Sequence, residues 1–329
     1  MEQPLPKAAK AFIGIFIALA AAAAIGIAAV NAYMHGTYSR FYEAARAEFM
    51  QPGLDEGFIP QDLDYLEAAQ GWLFSGYMSD GSPSPLYRQC GDGTFAKLLV
   101  ALPDGSIYDG HGSGVTSTDD HVLLTCEEGY LILDAPAVAA ASDGDTVEAR
   151  AKRDLDFSPA FMNIENGTLY TGNFYFPEAY ETPAEHRILA ADGNENPAVL
   201  YAYPADGDDP CGFSVQAERV YSIPGKVQGV CFTEEGRIVL STSYGLAASQ
   251  LLVYDEALVQ PLGRFPADGA EVPLLSLDSS SLVDTIEAPP MTEGIETHDG
   301  RVYIADESAC NKYIFGKFYG GGYVYSVKL

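Results

Sequence analysis

"PPMTEGIETHDGRVYIADES", residues 289–308, decides the fold. Asp299-Gly300 suits a two-residue hairpin turn, and apolar residues alternate with polar ones on both sides, so the stretch predicts two antiparallel strands. Glu293 stands at the start of the first strand and Asp306-Glu307 at the end of the second.

Related stretches recur along the chain. "IPQDLDYLEAAQGWLFSGYMSDGSPSPLYR" from Ile59 and "KVQGVCFTEEGRIVLSTSYGLAASQLLVYD" from Lys226 share the order of Gln, small or acidic residue, aliphatic, then aromatic. Looser copies begin at His111 ("HGSGVTSTDDHVLLTCEEGYLILD") and Ser158 ("SPAFMNIENGTLYTGNFYF"). Turn residues Asp119-Asp120, Asn166-Gly167 and Glu235-Gly236 mark the matching hairpins. The equivalent positions are Asp62, Gly114, Ala160, Gly229 and Gly294. Their spacing, with the extra length placed in residues 176–222 and 255–288, is that of propeller blades with insertions. The fold class is therefore all-β. The repeat predicts a five-bladed β-propeller, or a six-bladed one if residues 176–222 hold a degenerate copy, with a β-sandwich as the rival.

The N-terminus is a different material. "AFIGIFIALAAAAAIGIAAVNAY" carries no charge from Ala11 to Tyr33, and roughly 20 apolar residues cross a bilayer as a helix. Lys7 and Lys10 on its N-terminal side place that end in the cytoplasm. The expected organisation is a cytoplasmic tail (1–10), a transmembrane signal anchor (11–33), a juxtamembrane helix or linker (34–54) and the propeller (55–329). A signal peptide cleaved after "VNA", giving a secreted protein, is the alternative. The net charge of −28 lies beyond residue 50 and argues against nucleic-acid binding. The five cysteines show no CxxC, and their odd number leaves at least one unpaired within the chain.

The stretch "EGIETHDGRVYIADE" resembles the inner-strand motif of the propeller group that holds the gluconolactonase/senescence-marker and esterase-like phytase families. It is also similar to exported bacterial propellers of uncharacterised function carrying "VQG…STSYG" and "PPM.EG". In the gluconolactonase family the Glu of the EG motif ligates a metal with an Asn and an Asp from other blades. That resemblance implies Glu293 as a metal ligand and Asn173 as a second, whereas Gln61, Ser113, Pro159 and Gln228 occupy positions where further acids would be expected.

Propeller geometry brings first-strand starts and second-strand ends together at one mouth of the central channel. The candidate ligand-binding rim is Gln61, Tyr77, His111, Glu127, Asn173, Gln228, Tyr244, Glu293, Asp306 and Glu307. No cofactor follows from these residues alone; oxygen-rich rims suit a divalent cation such as Ca²⁺. Expected partners are the membrane, through the N-terminal helix, and a small molecule or an extracellular protein at the rim. The alternative is an exported metal-dependent hydrolase of lactonase, esterase or phosphoesterase type using Glu293. No GxSxG, HExxH or P-loop supports another chemistry.

Overall fold

The computed structural model describes residues 6–329, so the first five residues of the expected cytoplasmic tail lie outside the described residues. Helices α1 (Lys7–Thr37) and α2 (Ser39–Ala44) lead into strand β1 (Ala45–Met50). A meander follows: β2 (Phe58–Leu66), β3 (Gly71–Met78), β4 (Leu86–Gln89) and β5 (Phe95–Ala101). The second comprises β6 (Val115–Ser117), β7 (His121–Cys126), β8 (Gly129–Asp134), the short helix α3 (Ala135–Ala140) and β9 (Thr146–Asp154). The third has β10 (Phe161–Glu165) and β11 (Thr168–Gly172), a small hairpin of β12 (Ile188–Leu189) and β13 (Glu195–Asn196), then β14 (Ala198–Pro204) and β15 (Arg219–Ile223). The fourth has β16 (Val227–Phe232), β17 (Arg237–Thr242) and β18 (Ser249–Asp255), a hairpin of β19 (Gln260–Ala267) and β20 (Ala270–Ser276), and β21 (Leu282–Ala288). Last come β22 (Thr292–His298), β23 (Arg301–Asp306) and β24 (Tyr323–Val327).

The fold is a β-propeller preceded by an apolar helix. Strands β2, β6, β10, β16 and β22 each contact the next, and β22 returns to β2, which closes a ring. Buried apolar clusters fill the spaces between successive sheets: Leu73 and Leu86 against Val122 and Leu131, for example, and Phe161 and Leu200 against Val230 and Leu240. Outer edges are joined as well. β5 and β9 run parallel, merging two meanders into an eight-stranded sheet, and β20 runs parallel to β15, so the β19–β20 hairpin extends the neighbouring sheet. These contacts cover strand edges that would otherwise present unpaired backbone groups. Residues 176–222 form no separate four-stranded sheet; β14 and β15 complete the one begun by β10 and β11.

The hairpins follow their turn chemistry. Asn166-Gly167 and Asp299-Gly300 both hold positive φ at the two central residues, the conformation that matches strand twist.

One boundary differs from the sequence reading. The helical segment expected over 34–54 stops at Ala44, and Ala45–Met50 is instead β1, the outer strand of the last sheet. It pairs antiparallel with β24, Ala45 opposite Val327 and Met50 opposite Tyr323. Helix propensity yields here because β24 offers an unpaired edge and because Phe49 packs near Trp72, Phe74 and Phe95 of the adjacent sheet. Chain beginning and chain end thus close the ring together. Helix α1 is long and apolar enough to span a bilayer, its 31 residues reaching about 46 Å. All five cysteines are free.

The inner strands meet at glycine. A Cβ on Gly294 would lie 1.7 Å from the Asp62 Oδ1 and 2.6 Å from its Cα, whereas one on Gly91 would meet nothing. We expect Gly294→Ala to destabilise the fold by about 3 kcal/mol, in the range of overpacked cores. Gly91→Ala should leave the denaturant midpoint unchanged; equal midpoints for the two variants would refute the account of the ring.

Candidate functional site at the channel mouth

Three bulges build the floor of the site. Pairing of β2 with β3 passes from Pro60–Gly76 to Asp62–Ser75 and leaves Gln61 out. Between β16 and β17 it passes from Val227–Thr242 to Gly229–Ser241 and leaves Gln228 out. In β22 it jumps from Thr292–Asp306 to Ile295–Ile304, so that Glu293 and Gly294 face one residue of β23. A bulge re-aims the extra side chain. Gln61, Gln228 and Glu293 accordingly line one cavity of about 810 Å³.

Second-strand hydroxyls bond inner-strand backbones at Glu293 and at the matching starts of two other sheets. Ser241 Oγ donates to the Glu293 carbonyl at 2.6 Å, Thr171 Oγ1 to the Phe161 carbonyl at 2.8 Å, and Thr125 Oγ1 accepts from Gly114 N–H at 2.7 Å.

Eight of the ten candidate rim residues line the cavity: Gln61, Tyr77, His111, Asn173, Gln228, Tyr244, Glu293 and Glu307. Two do not. Glu127 sits on the two-residue turn between β7 and β8 and is exposed to solvent. Asp306 is buried and accepts from Ser308 N–H at 2.7 Å, while its backbone carbonyl and N–H bond the Gln51 side chain. Alternation along the chain sends Asp306 inward and its neighbour Glu307 to the cavity. Asn173 faces the cavity, but its amide is engaged: Oδ1 accepts from Val199 N–H at 2.9 Å and Nδ2 lies 2.8 Å from His186 Nδ1.

Glu293 is 3% exposed, and among the described residues no group hydrogen-bonds its carboxylate. Burial, then the nearby Glu307, Asp306 and Asp62 charges, hold its pKa well above the carboxylate range. Glu307 is pushed up to about 7 by burial, against the opposing pull of Lys312 and of the Gln61 amide at 3.2 Å. Lys312 donates to the Tyr77 hydroxyl at 2.9 Å and lies over the Tyr77 and Tyr313 rings. Tyr77 stacks on His111 with centroids 4.3 Å apart. Across the mouth, Tyr244 stacks on Phe176 at 3.6 Å, flanked by Phe174 and Tyr180.

Several of these groups escape a reading of the repeats. Phe174, Tyr180, Lys312 and Tyr313 lie on the loops after β11 and β23, past the hairpins that the repeats align. The channel below the mouth also holds the buried carboxylates Asp62 and Asp64 and the half-buried Glu296. Asp62 accepts from the N–H groups of Leu63 and Val115, each at 2.9 Å, and Glu296 from Asn163 Nδ2 at 2.5 Å. Asp64 accepts from Ser117 Oγ, and burial raises it to about 6. The i, i+2 spacing of Asp62 and Asp64 on an inner strand is the one sequence signal for them.

The residues at Glu293 do not fit a resident cation. Among the described residues, no three His, Cys, Asp or Glu side chains are grouped to hold a metal ion, and uncharged Gln61 and Gln228 occupy the sister bulges.

No protein-family model and no curated protein matches the chain. Solved structures to which it is similar include the PQQ-bound aldose sugar dehydrogenase of Streptomyces coelicolor, at 13% identity and a TM-score of 0.45, covering 86% of this chain and 96% of that one. The WD40 β-propeller domain of Doa1 is similar at 8% identity and a TM-score of 0.40, covering 80% and 94%. The nidogen/laminin complex contains a chain similar at 8% identity and a TM-score of 0.39, covering 76% and 73%.

The buried acids make stability depend on pH in a definite direction. Glu307 and Asp64 keep their protons in the folded chain up to about 7 and about 6, where the unfolded chain has already lost them. The folded state therefore binds more protons, and unfolding free energy falls as pH rises through that window. Melting temperature should be higher at pH 5.5 than at pH 7.5, with a flatter profile for Glu307→Gln. A wild-type profile that climbs over this range would contradict the assignment.

Proposed function

We propose that the chain is a membrane-tethered, extracytoplasmic, five-bladed propeller that binds a small polar organic molecule in its mouth cavity, without catalysis. Five blades are supported by the five inner strands that close the ring and by the fourth-strand role of β1. Tethering is supported by the unbroken run of α1 through Tyr33 and by the packing of Met34, Tyr38 and Phe41 into the core beyond it. Lys7 and Lys10 support an N-terminus in the cytoplasm.

The observation that carries the binding reading is the delivery of Gln61, Gln228 and Glu293 by three bulges into one cavity. Its volume of about 810 Å³ falls within the usual range of ligand sites. Two amides and two carboxylates on the floor can bond hydroxyl or amine groups, and the ring faces of Tyr77, Tyr244 and Phe174 can cover an apolar side of the molecule. A metal-dependent hydrolase finds no support in the donor set around Glu293.

The test is a thermal-shift screen of the full chain in detergent against small polyols, sugars and amines, followed by calorimetry on any hit. Affinity should fall at least tenfold in Glu293→Gln and stay unchanged in Glu127→Gln, which alters an acid outside the cavity. A hit whose affinity is the same in both variants would place binding elsewhere.

A further inference from the structure

The two faces of the disk differ in kind. On the face away from the cavity, the tips between first and second strands are polar hairpin turns, Asp119-Asp120, Asn166-Gly167, Glu234-Glu235-Gly236 and Asp299-Gly300, and the exposed apolar residues Val215 and Leu258 stand singly on the loops of two sheets. Around the cavity, large apolar side chains are exposed on the loops of three successive sheets. These are Tyr180 on the insertion after β11, Leu246 between β17 and β18, and Ile314 and Phe315 between β23 and β24. Tyr180 itself lines the cavity, Leu246 follows the lining residue Gly245, and Ile314 follows the lining residue Tyr313. Leu246 is 67% exposed and Phe315 57%. Isolated exposed apolar residues need no explanation, but a set that rims one opening does.

Helix α1 leaves the fold on this same face. Its C-terminal end contacts the 3₁₀ turn Ile314–Phe318, and Met34 and Tyr38 pack with Ala288 and Tyr319. Ala288 ends β21 three residues before Met291, which lines the cavity. The large apolar side chains of α1 from Phe12 to Tyr33 are exposed. No linker separates anchor from disk, since Tyr38 alone lies between α1 and α2.

We propose that the mouth face is seated on the bilayer, with Tyr180, Leu246, Ile314 and Phe315 in the interfacial layer, so that the cavity takes its ligand from the headgroup region. The proposal rests on the reading of α1 as a retained span. The occupant of this apolar rim is the lipid surface because the span emerges beside Ile314 and Phe315. Aromatic and aliphatic side chains flanking a span are the groups that partition into such interfaces. Zwitterionic lipid is the fitting surface, since a chain of net charge −28 is repelled by anionic headgroups. The acidic hairpin tips of the far face then point into water, displaced by the length of the strands, about 20 Å.

Brominated phosphatidylcholine vesicles holding the full chain test this by quenching of tryptophan placed at chosen depths. Trp72 is buried and gives a constant background. The single variants are Phe16→Trp within α1, Phe315→Trp and Leu246→Trp at the mouth, and Val215→Trp in the β14–β15 loop of the far face. We expect strong quenching for Phe16→Trp, quenching at least twofold above background for both mouth variants, and none for Val215→Trp. If Phe16→Trp is quenched while both mouth variants resemble Val215→Trp, the seating is wrong and the anchor stands. If Phe16→Trp is unquenched, both fall. Two mouth positions on separate sheets guard against one variant that misfolds.

Discussion

The fold depends on one contact, that of Asp62 with the inner strands on either side of it. The equivalent positions in the other repeats are Gly or Ala. Here the carboxylate fills the space above Gly294 of β22 and accepts the Val115 N–H of β6. One side chain therefore spans the junctions between the last and first sheets and between the first and second. A backbone without Cβ on one side and a buried acceptor on the other allow strands to approach more closely than side-chain packing would permit. Elsewhere the ring uses backbone alone: a Cβ on Gly229 would meet Ile295 N at 2.8 Å, and one on Gly114 would meet Met162 N at 2.9 Å.

Close approach at the axis has an electrostatic consequence. It shields from water a column that contains Asp62, Asp64, Glu293 and Glu296, and burial is the largest cause of each raised pKa. Buried charges without partners are strongly disfavoured, and the common solution is to stay protonated. Two of these acids are held by short bonds from other inner strands, Asp64 by Ser117 of the adjacent β6 and Glu296 by Asn163 of β10 across the axis. They join sheets that share no backbone ladder at the axis. Glu293 differs because it borders the cavity and has no such partner. Of these acids, the one at the mouth alone faces the cavity with no hydrogen-bond partner on its carboxylate among the described residues.

Much of this was legible in the sequence, and the residues show why the rest was not. The hairpins could be read because Asn166-Gly167 and Asp299-Gly300 fix both turn type and register locally. The rim could be read because equivalent positions in repeats occupy equivalent places, which brought Gln61, Gln228 and Glu293 together. Asp306 was misplaced because a one-residue step along a strand changes the face, and the bulge beside Glu293 shifts that register without a clear sequence mark. The strand Ala45–Met50 was hidden because its partner lies 282 residues away at the Val327 end, and its own composition favours helix. Phe174, Tyr180 and Lys312 were passed over because they lie on the loops after β11 and β23, where the copies differ in length and offer no aligned position.

The position of β1 ties the apolar helix and the fold together. A strand that closes a propeller is normally free to fray at its outer edge, because it is bonded on one side only. Here its N-terminal end is continuous with α2, and Phe41 of α2 is buried with Val302, Ile304 and Val327 of the sheet that β1 completes. Arg301 adds bonds to the Ala44 and Ser326 carbonyls, fastening the junction of α2 and β1 to β24. A pull on α1 is therefore taken up first by side-chain packing and these two bonds, before it reaches the β1–β24 ladder. A disk held this tightly to its helix has one orientation relative to α1, so the direction in which its cavity opens is fixed with respect to that helix.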